Sequence, residues 1–141
     1  MTSDNDRDPI PLRWAPGTKK AMAAMPEDVQ DVFGRLLLDA QYGDHPDGAR
    51  PFGEGLPSDI MKLVDDEDGE TYRAAYVVAF RGVVYILDVF QKKSKSGRET
   101  PREDLERIKR RYKAAKQHFD ENPPASREKH DEREAPVQKV P

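Results

Sequence analysis

The chain is 141 residues long, enough for one compact domain with extended ends, and its hydrophobic share of 35% lies below its charged share of 36%. With no cysteine, it excludes a disulfide framework, a thiolate metal site and a cysteine nucleophile. The net charge of −3 conceals an uneven distribution: residues 27–70 hold 13 acids against 3 bases, whereas residues 92–116 hold 11 bases against 4 acids.

In chain order, residues 1–12 combine two prolines with alternating charges and are expected to be a disordered tail without the features of a signal peptide. The folded domain is expected over residues 13–119. Lys19 to Met25 reads as a short helical arm closed by Pro26. A clearer helix follows, with Glu27 and Asp28 in its first turn and Val29, Phe33, Leu36, Leu37 and Ala40 at helical spacing as far as Gly43. Residues 43–58, rich in glycine and proline, read as a long loop, and Ile60, Leu63 and Val64 as a short strand. The two β-branched and aromatic runs 71–80 and 83–90 flank Arg81-Gly82 and predict a hairpin with a two-residue turn. That turn sets Tyr76 opposite Leu87, Ala75 opposite Asp88 and Arg73 opposite Phe90. After the basic loop 91–101, Pro101 suits the first turn of a helix starting at about Arg102, with Thr100 as its N-cap. Leu105, Ile108, Tyr112, Ala115 and Phe119 mark its buried stripe. Residues 120–141 are expected to be a second disordered tail. This order predicts an α+β fold: two N-terminal helices, an antiparallel β-meander and a C-terminal basic helix, with the helices gathered on one face of the sheet.

The three histidines, His45, His118 and His130, lack metal-ligand spacing, and the acidic run Asp65 to Glu70 lacks the alternating ligands of a calcium loop and reads as a polar turn. Trp14 is either a core anchor or a partner-binding aromatic. The chemistry lies instead in the cations. Lys92, Lys93, Lys95 and Arg98 fall within seven residues, and such self-repulsion is best tolerated where an anion binds. Beside a strand carrying Tyr72 and Arg73 and another ending in Phe90, they suit single-stranded RNA: cations for phosphates, rings for unpaired bases. Cleavage by the 2′-hydroxyl needs a proton acceptor, a cation for the phosphorane and an acid for the leaving oxygen. A lysine crowded by other cations can drop its pKa far enough to be the acceptor. Composition and spacing permit an enzyme and a passive RNA binder alike.

Tyr72-Arg73, Tyr76, Phe90, Lys92-Lys93, Lys95, Thr100-Pro101 and Asp104, in that order and followed by a basic helix, resemble the C-terminal half of phage-derived RelE/HigB-type toxins of type II toxin–antitoxin systems, within the RelE/ParE superfamily. The acidic helix and the Arg50-Pro51-Phe52 segment extend the resemblance over about residues 14–118. It implies a RelE-like α+β fold and a cytoplasmic, metal-independent endoribonuclease that cleaves mRNA in the ribosomal A site without a cofactor. It also implies inhibition by a cognate antitoxin, commonly a helix-turn-helix protein of the HigA type, and no membrane partner. By position, Arg73 would stabilise the phosphorane, Lys92 and Lys93 would bind phosphate or share proton transfer, and Lys95 and Arg98 would steer RNA, with Tyr72 and Phe90 beside them. Similar sequences often carry a histidine where this one has Asp88. The carboxylate there would be either a different base or a partner that neutralises Arg73. A catalytically silent antitoxin-binding relative and a ParE-like toxin with another target are the alternatives.

Overall fold

The computed structural model describes residues 8–79, 82–92 and 100–124. Five strands and three helices follow in the order β1 (Leu12–Trp14), α1 (Thr18–Ala23), α2 (Glu27–Gln41), β2 (Arg50–Pro51), β3 (Met61–Glu67), β4 (Glu70–Ala79), β5 (Val83–Gln91) and α3 (Arg102–Glu121). They form one mixed sheet in the order β1-β5-β4-β3-β2, in which β1 lies parallel to β5 and the remaining pairs are antiparallel. The architecture is therefore α+β, and the meander from β3 to β5 is the one that the sequence predicts, while β2 falls in the stretch 43–58 expected to be loop and gains its pairing only beside β3.

Strand β1 is not foreseen in the sequence. Leu12, Arg13 and Trp14 are too few to show an alternating pattern, and they gain their partners only across the molecule, opposite Val84, Tyr85 and Ile86. The stretch 8–12, expected to be tail, is tied in as well: Ile10 packs on the core, its N–H donates to the Gln41 carbonyl, and the Val84 N–H donates to Pro11 O. Trp14 packs partly buried against the same core.

Between β3 and β4, Asp68 and Gly69 form the two-residue turn, with φ of 50° and 81° and Glu67 opposite Glu70, the primed geometry that matches strand twist. The acidic run is thus strand and turn. The β4–β5 hairpin departs from its expected register. Its last pair is Ala79 with Val83, which leaves three connecting residues instead of two, and Tyr76 lies opposite Ile86. The expected pairs Ala75 with Asp88 and Arg73 with Phe90 do form, because one extra residue, Leu87, is absorbed as a β-bulge opposite the Ala75–Tyr76 step. Phe80, Arg81 and the expected turn there lie outside the described residues.

The helices cover both faces of the sheet, not one. Helices α1 and α2 pack Met22, Val29, Phe33, Leu36, Leu37 and Ala40 on Tyr72, Ala74, Tyr76, Val84, Ile86 and Val89. On the opposite face, Ile108 and Ala115 of α3 pack on Ala75, Val77, Ala79, Val83, Tyr85 and Leu87, and Phe52 and Ile60 join them. The physical reason is that both faces of β4 and β5 are apolar, and either would expose a wide hydrophobic patch if left open. Thr100 does not cap α3: Pro101 precedes the first helical residue, no side chain caps the helix there, and the Thr100 hydroxyl is used elsewhere.

Candidate functional site

The site lies at the end of the sheet where β4 begins and β5 finishes, on the face that α3 also covers. Antiparallel pairing orders this face in rows. Lys62, Ala75 and Asp88 stand across from one another, as do Val64, Arg73 and Phe90. The next row holds Asp66 and Thr71, and the ladder continues beyond β5 because the Lys92 N–H donates to the Thr71 carbonyl at 2.8 Å. Lys62, Arg73 and Lys92 therefore lie along one diagonal of the sheet, with Arg73 in the middle, each step being about 7–8 Å. Arg50 of β2 stands opposite Lys62 and adds a fourth cation to this corner.

Burial shapes these charges. The Arg73 side chain is only 6% exposed. Burial pulls its pKa down from the ordinary value, while Glu54 pulls it back up. Lys62 lies with its ammonium 5.2 Å from the centre of the Phe52 ring. Burial first, and then the neighbouring Arg73 guanidinium, push the Lys62 pKa below its ordinary value; Glu54 opposes this and Arg50 adds to it. Lys62 is thus the described lysine in which the crowding argument is realised, although the sequence directs attention to the later lysines. Its only advance signal was a cation in an otherwise apolar and acidic strand.

Glu54 was also missed. It sits between Gly53 and Gly55 in a run of three left-handed residues, with φ of 76°, 53° and 83°. This turn carries its carboxylate to the chain just before α3, where one oxygen accepts the Thr100 N–H at 2.8 Å and the other accepts the Thr100 hydroxyl at 2.9 Å. The second oxygen is also 3.8 Å from the Arg73 Nη1, which donates to the Thr100 hydroxyl oxygen.

Asp88 pairs with α3, not with Arg73. The bulge turns both Leu87 and Asp88 toward that helix. The Asp88 Oδ2 accepts from Arg107 at 2.9 and 2.7 Å, and its Oδ1 accepts from Arg111 and from the Val89 N–H, each at 3.0 Å. Both oxygens are thus engaged by α3 and the adjacent amide, and the expected alternative in which Asp88 neutralises Arg73 is not realised. Arg107 and Arg111, assigned from sequence to the solvated surface of the helix, are its anchors.

The aromatic residues are corrected too. Tyr72 belongs to the core under α1 and α2, and Phe90 to the core under α3, so they lie on opposite faces and both are buried. Neither offers a ring for stacking, and Tyr72, the neighbour of Arg73 along β4, points to the opposite face from it. Lys93, Lys95 and Arg98 lie outside the described residues. Among the described residues, no cluster of histidine, aspartate and glutamate could hold a metal ion, and no helix is long and apolar enough to cross a membrane. His118 stands far from the site, bonded to Tyr85, whose partner Val77 is four residues along β4 from Arg73, about 13 Å away.

Residues 20–113 match the sequence profile of a family described as phage derived protein Gp49-like. The chain belongs to this Gp49-like family. The match runs from α1 to the middle of α3 and includes every described residue of the Lys62–Arg73–Lys92 diagonal. Among solved structures, the chain is similar to a double mutant of the Escherichia coli toxin RelE in the free state, with 18% identity and a TM-score of 0.46 over 59% of this chain and 83% of that one. No curated protein matches the chain by sequence.

Proposed function

We propose that this Gp49-like protein is the toxin of a type II toxin–antitoxin system and a metal-independent endoribonuclease that cleaves mRNA on the ribosome. The observation that carries the reading is the diagonal of three cations on one sheet face, with a buried arginine at its centre. It is supported by the ordered motif from Tyr72-Arg73 to Thr100-Pro101, which resembles RelE/HigB-type toxins. Arg73 binds the scissile phosphate and offsets the charge that grows on the phosphorane. Lys62, with its lowered pKa, takes the proton of the 2′-hydroxyl as the 2′-oxygen attacks phosphorus. Lys92, on the other side of Arg73, gives a proton to the departing 5′-oxygen, so that base and acid flank the phosphorus as an in-line displacement requires. Lys93, Lys95 and Arg98 hold the flanking RNA or ribosomal RNA. A cognate antitoxin, of the helix-turn-helix HigA type, is the inhibitory partner, and the cytoplasm is the site of action.

The experiment is expression without antitoxin, with primer extension on translated messages. Wild-type protein should arrest growth and cut mRNA, Arg73→Ala should lower cleavage by about a hundredfold or more, and Lys62→Met should lower it while removing the alkaline rise of its pH profile. Intact messages and normal growth with folded wild-type protein would favour the silent, antitoxin-binding alternative. The contact of Glu54 with the Arg73 cluster is the observation on its side.

A further inference from the structure

The donors gathered at Thr100 and Arg73 form a set that suits an oxyanion: a backbone N–H, a hydroxyl and a buried guanidinium, with Lys62 and Arg50 close enough to shift or be shifted electrostatically. In this protein the oxyanion they hold is Glu54. Its placement is not the relaxed outcome of the local sequence. A non-glycine residue at φ 53° costs about 1 kcal/mol or more, and such a conformation persists where its contacts over-determine it. The two flanking glycines permit the turn, and the carboxylate is its polar end. The grip is also uneven. Both hydrogen bonds come from Thr100, whereas the guanidinium stands 3.8 Å away, an ion pair and not a hydrogen bond.

We propose that Glu54 is an internal stand-in for the RNA phosphate, which occupies the phosphate site of the free protein and must be displaced when RNA binds. The inference rests on the reading of Arg73 as the phosphate ligand and adds to it a self-competition. Carboxylate and phosphate cannot share the Thr100 donors, and a carboxylate left beside a bound phosphodiester would repel it. Displacement releases Glu54 toward solvent, where it is already 24% exposed. The clasp thus weakens binding of any isolated phosphodiester and reserves the site for RNA held by additional contacts.

The test measures binding of a short oligonucleotide with a 2′-deoxy cleavage position, and of inorganic phosphate, to the full-length wild type, Glu54→Gln, Arg73→Ala and the double variant, by calorimetry at low and high salt. Glutamine keeps one acceptor oxygen for the Thr100 N–H, turns an NH2 donor toward the Thr100 hydroxyl oxygen and loses the charge, and thermal unfolding of each variant verifies the fold. Glu54→Gln should bind the oligonucleotide about tenfold more tightly than wild type, with the gain lost when Arg73→Ala is added. Unchanged or weaker binding by a folded Glu54→Gln, with Arg73→Ala still reducing wild-type binding, overturns the stand-in role and leaves the phosphate reading in place. Binding unaffected by Arg73→Ala overturns the phosphate reading itself. Cleavage lost in Glu54→Gln with binding unchanged makes Glu54 a reacting group and also overturns the proposal.

Discussion

The two faces of the sheet solve the same packing problem by different means. Under α1 and α2 the contact is almost wholly apolar, with Val29 and Phe33 fully buried against Ala74, Tyr76 and Ile86. Under α3 only Ile108 and Ala115 are buried on the helix side, and the ends of the helix are held by polar ties: Asp88 to Arg107 and Arg111, and His118 to Tyr85 and Arg13. A helix as rich in charge as α3 cannot supply a wide apolar stripe, so directional bonds complete its docking. The first face builds stability by surface removed from water, and the second fixes where a cationic helix lies beside a cationic site. The larger apolar contact and the proposed site lie in this way on opposite sides of one sheet.

The contrast can be broken most severely on the apolar side. Phe33→Ala should cost about 3–5 kcal/mol, read as a fall in the denaturation midpoint that added salt does not deepen. On the other face Asp88→Ala should cost less, about 2–3 kcal/mol, because the guanidiniums it leaves behind keep 29% and 22% exposure and can be rehydrated in part. The signature that separates the two is local. Hydrogen exchange should quicken in α3 and the end of β5 for the Asp88 variant, and across the whole sheet for the Phe33 variant.

The smallest effect concerns pH. His118 accepts or shares a hydrogen bond with Tyr85 at 2.9 Å, with Arg13 3.3 Å away. Burial, and then the Arg13 charge, hold its pKa below the ordinary imidazole value, against a weaker upward pull from Glu121. A group with a depressed folded pKa binds its proton more readily when the chain is unfolded. The stabilisation is therefore complete above pH of about 6.5 and is lost as pH falls from there toward the lowered folded value. Thermal melts between pH 7.5 and 5 should show a steeper decline for wild type than for His118→Gln. Parallel curves would assign the acid sensitivity to the carboxylates.

Much of this fold is legible from periodicity. The stripe Val29, Phe33, Leu36, Leu37 and Ala40 is the buried face of α2, and the stripe from Leu105 to Phe119 is the contact face of α3. What escapes is what depends on residues distant in sequence. Strand β1 has meaning only beside β5, and the bulge at Leu87 has no local marker, yet it decides which way Ile86 and Asp88 face. Within the proposed site, Arg73 was legible from the Tyr72-Arg73 motif that resembles RelE/HigB-type toxins. Lys62 and Glu54 were not, since only the pairing of β3 with β4 and the left-handed turn at Glu54 bring them to it. Asp88 drew attention because similar sequences often carry a histidine there, and its partners sit 19 and 23 residues later on a helix.

The short parallel strand at the amino end has a practical consequence for anyone trimming this protein. Its three residues seal the flank of β5, a strand of nine in which eight positions are buried. A version that starts after Ala15 would leave the Val84 amide and the Ile86 carbonyl, now bonded to Pro11 and Ala15, as open ladder positions on a very hydrophobic strand. Such a truncated chain should recruit a second copy through that flank and come off a sizing column as dimers and larger aggregates, whereas a chain that begins at residue 8 should remain monodisperse.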